Sequence, residues 1–433
     1  MIKISIPLVI LFFVTGCSIH DATGFWSKQK KIEEESLEFK KLFQVKEIKE
    51  NEFNTEYEIN INLNDSDFNK NHRFDNNDGF VIFNDKLEKI SKFNFSKIKN
   101  FDKIETNLVF HNQKIIFFDN KGTILCFDQN SQLLWSFNIY SKEEKKIGPL
   151  LTFNKKDNLL FIADNLARYY SIDIDTGKLI WDKKHTSSFN SEIKTFKNRI
   201  YIVDAENTLN SFLIKDGTKV WSHFTEKSFI NSIKKLSIVF NKEKVIFNNS
   251  TGNITALNAR DGKLLWQSNT FNSKSYEDLM NLKTSNLIIN NNSLYFSNNK
   301  NEFYSLDVET GLLNWQQNIN SYLKPVTIGD FVLTFSHNGF QYLIEKNSGN
   351  IIKITDIFYQ FNDKERKKLF ITGFILNKEN IFISTSSGKL LVMNIRDSKI
   401  IKVIKVDKGI ISRAFVNNEN MYIVKDNAII KLN

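Results

Sequence analysis

Two cysteines in 433 residues, Cys17 and Cys126, exclude a disulfide framework and a cysteine-ligated metal site. The six histidines, His20, His72, His111, His185, His223 and His337, include no pair at three- or four-residue spacing, so zinc-site spacing is missing too. Neither a Gly-x-Ser-x-Gly elbow nor a Walker-type phosphate loop occurs. The apolar stretch Ile4 to Val14, about eleven residues, is too short for a permanent membrane-spanning helix, which needs ~20. Proline is down to three residues. Against these absences stand 39 Phe and a hydrophobic fraction of 41%, a globular composition rich in residues that suit a pleated surface.

Met1-Ile2-Lys3 is a short basic start, and Val14-Thr15-Gly16-Cys17 closes the apolar run with small residues and a cysteine, the pattern of a secretory signal over residues 1–16. The ending resembles the bacterial lipobox, in which the cysteine thiol is acylated and becomes the first residue of the mature lipoprotein. That resemblance implies palmitate-type lipidation at Cys17; the alternative is an ordinary signal peptide with an incidental cysteine. Ser18 follows instead of Asp, which by analogy with enteric lipoproteins implies sorting to the periplasmic face of the outer membrane. Residues 17–78 are expected to form a lipidated N-terminus and tether, with Glu33-Glu34-Glu35 and Lys40-Lys41 in a charged stretch lacking proline and glycine; a short helix there is the alternative. Cys126, in Ile124-Leu125-Cys126-Phe127, is left as a core thiol. Net charge is +10, but the lysines are spread along the whole chain, and an exported protein is no partner for nucleic acid.

Five of the six tryptophans follow a turn on a small or polar residue by four positions: Ser131 to Trp135, Gly177 to Trp181, Gly217 to Trp221, Gly262 to Trp266 and Gly311 to Trp315. The tryptophans are 46, 40, 45 and 49 residues apart, and a period near ~45 signals a repeat architecture. Each unit contains short apolar or alternating strands and tight turns, as in Val245 to Asn248, Asn253 to Asn258 and Lys263 to Gln267. Two further units place Lys353 and Lys402 at the tryptophan position. An eighth is cut short at Asn433, and Leu87 to Phe95 is the unassigned strand that completes it. The expected fold is therefore all-β: an eight-bladed β-propeller over residues 79–433, of four-stranded antiparallel blades, closed by N- and C-terminal strands sharing a blade. A β-helix and a seven-bladed ring with an N-terminal extension are the alternatives. Indoles repeated once per blade, Trp135, Trp181, Trp221, Trp266 and Trp315, read as blade-docking plugs.

Asp175 to Trp181 (DTGKLIW), Asp261 to Trp266 (DGKLLW) and Glu309 to Trp315 (ETGLLNW) resemble the pyrroloquinoline-quinone-type repeat over roughly residues 80 to 433. With a lipobox and a tether, the chain is similar to the B-lipoprotein family of the outer-membrane β-barrel assembly machinery. The resemblance implies a non-catalytic periplasmic scaffold, anchored in the outer membrane, that binds the barrel-inserting subunit within a hetero-complex. In that family a Leu-x-Leu-Arg stretch contacts the barrel-inserting subunit; the matching positions here fall in Ser187 to Glu192, with Phe189 for the aliphatic residue and Asn190 for the arginine. Quinone dehydrogenases sharing the repeat bind calcium, and the alcohol oxidisers use an adjacent-cysteine disulfide, which Cys17 and Cys126 cannot form. No cofactor, metal or catalytic residue is therefore expected. The alternatives are a propeller binding another envelope protein or a cell-wall ligand, and a quinone-dependent dehydrogenase-like protein.

Longer connections between units are the candidate binding face. Thr270 to Lys283 offers Phe271 and Tyr276; Asp356 to Leu369 offers Phe358, Tyr359 and Arg366 together with the lysines of Lys364 to Lys368.

Overall fold

The second strand of each repeat is apolar at nearly every position, and so cannot leave either face in water. In Lys244–Asn248 all but the first residue are buried, and the same holds for Lys114–Phe118 and Arg199–Val203. A run buried on both faces demands a neighbouring sheet on each side. The computed structural model, which describes residues 50–59, 79–83, 87, 89–226, 228, 232–270 and 276–432, supplies those neighbours as a ring.

Eight four-stranded antiparallel sheets make a β-propeller. Blade 1 comprises Val109–His111, Lys114–Phe118, Ile124–Phe127 and Leu133–Phe137; blades 2 to 7 follow within 151–184, 194–224, 238–268, 288–317, 326–356 and 371–405. Blade 8 takes Ile411–Asn417, Asn420–Lys425 and Ala428–Leu432 from the C-terminus, and its outer strand, Lys89–Asn94, from the other end of the chain. Phe93 pairs with Ile429 and Lys92 with Ile430, so the two ends share one blade as the sequence leads one to expect. First strands of neighbouring blades lie against one another around the axis, and fourth strands form the rim, where Leu264–Ser268 exposes Leu264 and Leu265 but buries Trp266.

A register shift recurs between the third and fourth strands of blades 1 to 7, next to the residue opposite the tryptophan position, for example between Ala256 and Leu257 in blade 4. A bulge of this kind re-aims the strand, and here it leaves the indole facing the next blade. Each indole lies on the turn glycine of the following blade: Trp135 on Gly177, Trp181 on Gly217, Trp221 on Gly262, Trp266 on Gly311 and Trp315 on Gly349. A Cβ on any of these glycines would come within 2.5–2.8 Å of an indole carbon. Four indoles also donate across the seam, Trp135 to Ile174 O (3.0 Å), Trp181 to Ile214 O (3.0 Å), Trp266 to Val308 O (3.1 Å) and Trp315 to Lys346 O (2.8 Å). Trp221 Nε1 has no partner, because Tyr201 Oη holds the corresponding carbonyl, Ala259 O, at 2.8 Å. Burying one indole contributes up to roughly 4–6 kcal/mol.

At the seam between blades 6 and 7 the tryptophan is replaced by Lys353, only 2% exposed, whose Nζ donates to Asp397 O of blade 7 (3.0 Å) and to Tyr57 O (2.9 Å). Residues 51–59 fill the remaining space. Phe53 bridges Ile354 antiparallel with hydrogen bonds of 3.1 and 3.0 Å, Ile59 N donates to Arg396 O (2.9 Å), and Ile59 is 1% exposed. Further along, Phe80 bridges Leu376, the last residue of the first strand of blade 7. Lys402, by contrast, is exposed. The turn on which an indole of blade 7 would sit does not exist, since the third and fourth strands of blade 8 come from opposite ends of the chain.

Candidate functional site

Strand direction puts the connections between blades on the same face of the disc as the turns between second and third strands, and side-chain bonds tie the two sets together. The connection after blade 1 carries helix α1, Lys142–Ile147, whose capping box joins Ser141 and Glu144 reciprocally. Arg168, beside the blade 2 turn, reaches Glu144 (3.4 Å) and Asp182 (2.9 Å), and Tyr140 Oη donates to Asp164 (2.5 Å). Burial pushes the Tyr140 phenol far up, and burial also raises the Asp164 carboxyl against the Tyr140 hydrogen bond, which lowers it. His185 holds Asp204 at 3.0 Å in the same way in blade 3.

On the axis of this face, residues ahead of the first strands meet. Lys234, ahead of blade 4, donates to Asn286 Oδ1 (2.7 Å) and lies 3.8 Å from Glu105, ahead of blade 1 on the far side of the ring. Asn286 in turn donates to Glu192 (2.7 Å), ahead of blade 3. Lys235 donates to Leu151 O of blade 2 (3.3 Å) and to Thr152 Oγ1. All but the Lys234 bond to Asn286 link non-neighbouring blades and so bridge the channel mouth. Burial pushes the Lys235 ammonium down to about 8 and also lowers Lys234, while Glu105 and Glu192 oppose both shifts.

At the rim, the connection from blade 6 to blade 7 holds helix α3, Asp363–Arg366, capped by the Asn362 side chain; helix α2, Tyr276–Met280, lies in the connection after blade 4. Arg366 Nη1 pairs with Asp356 (2.7 Å), fixing α3 to the end of the last strand of blade 6. Between α3 and the blade 7 turn lies a groove of about 310 Å³ with Phe361 and Leu369 as its apolar floor and Lys364, Lys368 and Lys389 around it.

The structure separates the residues singled out from sequence. Phe189 is buried against Tyr169 and His185, and Asn190 Nδ2 donates to Ser232 O (2.9 Å), so both are internal parts of the blade 3 edge. Phe358 is 1% exposed and packs on Gly339, whereas Tyr359 is 62% exposed on the same connection as Arg366 and the groove. Cys17, the signal segment, Phe271 and the side chain of Tyr276 lie outside the described residues. Cys126 is fully buried and burial pushes its thiol up to about 12, which leaves it unreactive. The channel-mouth group and Lys389 escaped the sequence reading; aligning the units on their first strands instead of on the tryptophans would have set Glu105 with Lys234, and Glu192 with Asn286, at matching positions just ahead of the strands. Among the described residues no three His, Cys, Asp or Glu side chains gather as they do around a metal ion, and no helix is long and apolar enough to cross a membrane.

Comparison with known proteins adds five matches. The family model described as "Outer membrane protein assembly factor BamB" matches residues 120–355. A second model, "Fructose-bisphosphate aldolase class-I", matches residues 344–428, which here are antiparallel strands of blades 6 to 8 and not part of any β/α barrel. An uncharacterized protein of Rickettsia prowazekii (strain Madrid E) is 24% identical over 382 residues, covering 81% of this chain and 89% of the relative. Among solved structures, BamB from Moraxella catarrhalis is similar at a TM-score of 0.64 with 15% identity, covering 80% of this chain and 99% of its own. A europium-containing methanol dehydrogenase reaches 0.63 with 10% identity, covering 83% and 91%. At such identities the likeness to both structures is one of fold.

Proposed function

The chain belongs to the family of outer membrane protein assembly factor BamB, and from that premise we propose that it is a non-catalytic scaffold in the assembly of outer-membrane β-barrel proteins, held at the periplasmic face of the outer membrane by a lipid on Cys17 and binding the barrel-inserting subunit. The match to the family model over residues 120–355, six of the eight blades in whole or part, is the observation that carries this reading. Two features of the disc support it. Its described connections are tied to the blade turns by hydrogen bonds and carry an exposed aromatic, Tyr359, and a basic groove, the kind of platform on which a protein partner docks. The channel mouth is occupied by the chain's own lysines, carboxylates and Asn286, which pair with one another across it.

Pulling the tagged chain from detergent-solubilised membranes tests the reading. The barrel-inserting subunit is expected to come with it, and Cys17→Ser is expected to release the chain from the outer-membrane fraction. Recovery of the chain without that subunit sinks the scaffold role. Reduction of an electron-accepting dye by the purified chain supplied with quinone and calcium would favour a dehydrogenase instead.

A further inference from the structure

We propose that the groove between α3 and blade 7 binds an extended acidic peptide segment of a partner protein, with one bulky apolar side chain seated on Phe361 and Leu369. The inference rests on the scaffold reading only in taking a protein as the source of the ligand. Its volume, about 310 Å³, suits one or two side chains and not a folded surface. Its chemistry is two-sided. Phe361 and Leu369 make an apolar floor, and three ammonium groups stand around it: Lys364 and Lys368 from the blade 6 to blade 7 connection and Lys389 from blade 7.

The charge is unspent. Lys389 Nζ lies 4.7 Å from the Phe361 ring centroid, a contact that orders the ammonium without neutralising it. Glu365 also lines the groove, but its carboxylate accepts from Asn362 Nδ2 (3.2 Å) and its backbone N–H is held by Asn362 Oδ1 (3.0 Å), within the helix cap. Among the described residues no carboxylate forms an ion pair with Lys364, Lys368 or Lys389. An inorganic anion would satisfy the ammonium groups and leave the floor wet; an apolar side chain alone would desolvate unpaired charge. A segment carrying Asp or Glu on both sides of a Leu or Phe satisfies both. The groove is also held open by the fold: the Arg366 pair with Asp356, Phe358 packed beneath Phe361 (5.9 Å between centroids) and the Ser386 bonds to Phe370 N and Lys368 O fix both walls.

The test uses the full chain and three fluorescein-labelled synthetic peptides: Asp/Glu-rich with a central Leu-Phe, the same with Lys and Arg for the acids, and the acidic one with Gly-Gly for Leu-Phe. Saturable binding is expected for the first alone. Lys364→Glu with Lys368→Glu, both exposed, is expected to weaken it at least tenfold, whereas Lys145→Glu with Lys146→Glu in α1, an equal change of net charge on the same face, leaves it unchanged. Phe361→Ser is expected to weaken it without altering its salt dependence, read only if the circular dichroism matches the parent; should that variant not fold, the lysine pair decides. No binding of the acidic peptide, equal binding of all three, or equal loss in the α1 variant overturns the proposal. So does loss, in the lysine variant, of binding to phosphatidylglycerol vesicles alone, which assigns the groove to a lipid surface. Co-purification of the barrel-inserting subunit, measured in parallel, separates the two readings: if the parent chain fails to recover it the scaffold role falls, and if it succeeds while the peptide does not bind, only the groove falls.

Discussion

Gly262 and Ser398 occupy the same turn in blades 4 and 7 with nearly the same left-handed backbone, φ 73° and 62°, and Ser131 in blade 1 has φ 65°. A side chain at this turn is therefore tolerated by the backbone. What requires glycine at blades 2 to 6 is the indole of the preceding blade, and the two serine turns are those preceded by Lys353 and by Ser91 of the N-terminal strand, neither of which carries a ring. Gly262→Ser is expected to cost about 2–4 kcal/mol in urea unfolding, since the indole must shift, while Ser398→Gly stays within about 1 kcal/mol of the parent. Equal effects at the two sites would refute the coupling. Tryptophan substitutions should divide likewise: Trp266→Phe removes a hydrogen bond to Val308 O that Trp221→Phe does not, and is expected to cost about 1 kcal/mol more. The repeat of turn and tryptophan was legible in sequence, but the four-residue spacing concealed the partnership. The residues that touch belong to successive units.

At the scale of elements, segment 51–59 lies on the rim of blade 6, bridged to it through Phe53, and stands where an indole is missing. Lys353 ties it in by giving one proton to Tyr57 O and another to Asp397 O. Burial lowers its ammonium pKa, and the carboxylates of Asp397, Glu56 and Glu58 oppose that shift. Lys353→Met is expected to lose about 1–3 kcal/mol and to open 51–59 to limited proteolysis ahead of global unfolding; a variant whose segment remains as resistant as the parent's contradicts the role given to Lys353. No local pattern announces this contact, since Tyr57 and Lys353 lie at opposite ends of the chain. The rim groove was half legible: Lys364 to Lys368 and the aromatics of the connection stand out in sequence, but Lys389 and Ser387 reach it through the fold of blade 7, and Phe358, the equal of Tyr359 on paper, is committed to the core by Gly339.

For the whole molecule the decisive joint is blade 8. Asp407 clasps it, accepting from Lys92 of the N-terminal strand and Lys425 of the C-terminal part at 3.3 Å each. Burial works to raise this carboxyl, but the Lys408 N–H and the two ammonium groups prevail and hold it at about 2. Because the folded value lies below the unfolded one, near ~3.9, the stabilisation is complete above about pH 5 and is lost as pH falls toward 2, a loss of about 1–2 kcal/mol after screening. Asp407→Asn is expected to lower the melting temperature at pH 7 and to flatten its fall below pH 5; an unchanged acid limb shows the clasp to be unimportant. That the ring has eight blades followed from counting units and noticing one strand too few at the end.

That closure also imposes an order in time. Lys89–Asn94 is made before the other strands, yet its partner Ala428–Leu432 is made only after the seven intervening blades, so at ~5–20 residues per second the strand waits on the order of tens of seconds with a bare hydrogen-bonding edge. An edge exposed that long invites pairing with any neighbouring chain. Lys92, set within an otherwise sticky KISKFN, places on that edge the kind of charge that discourages such pairing, and it then becomes half of the clasp once the wait is over.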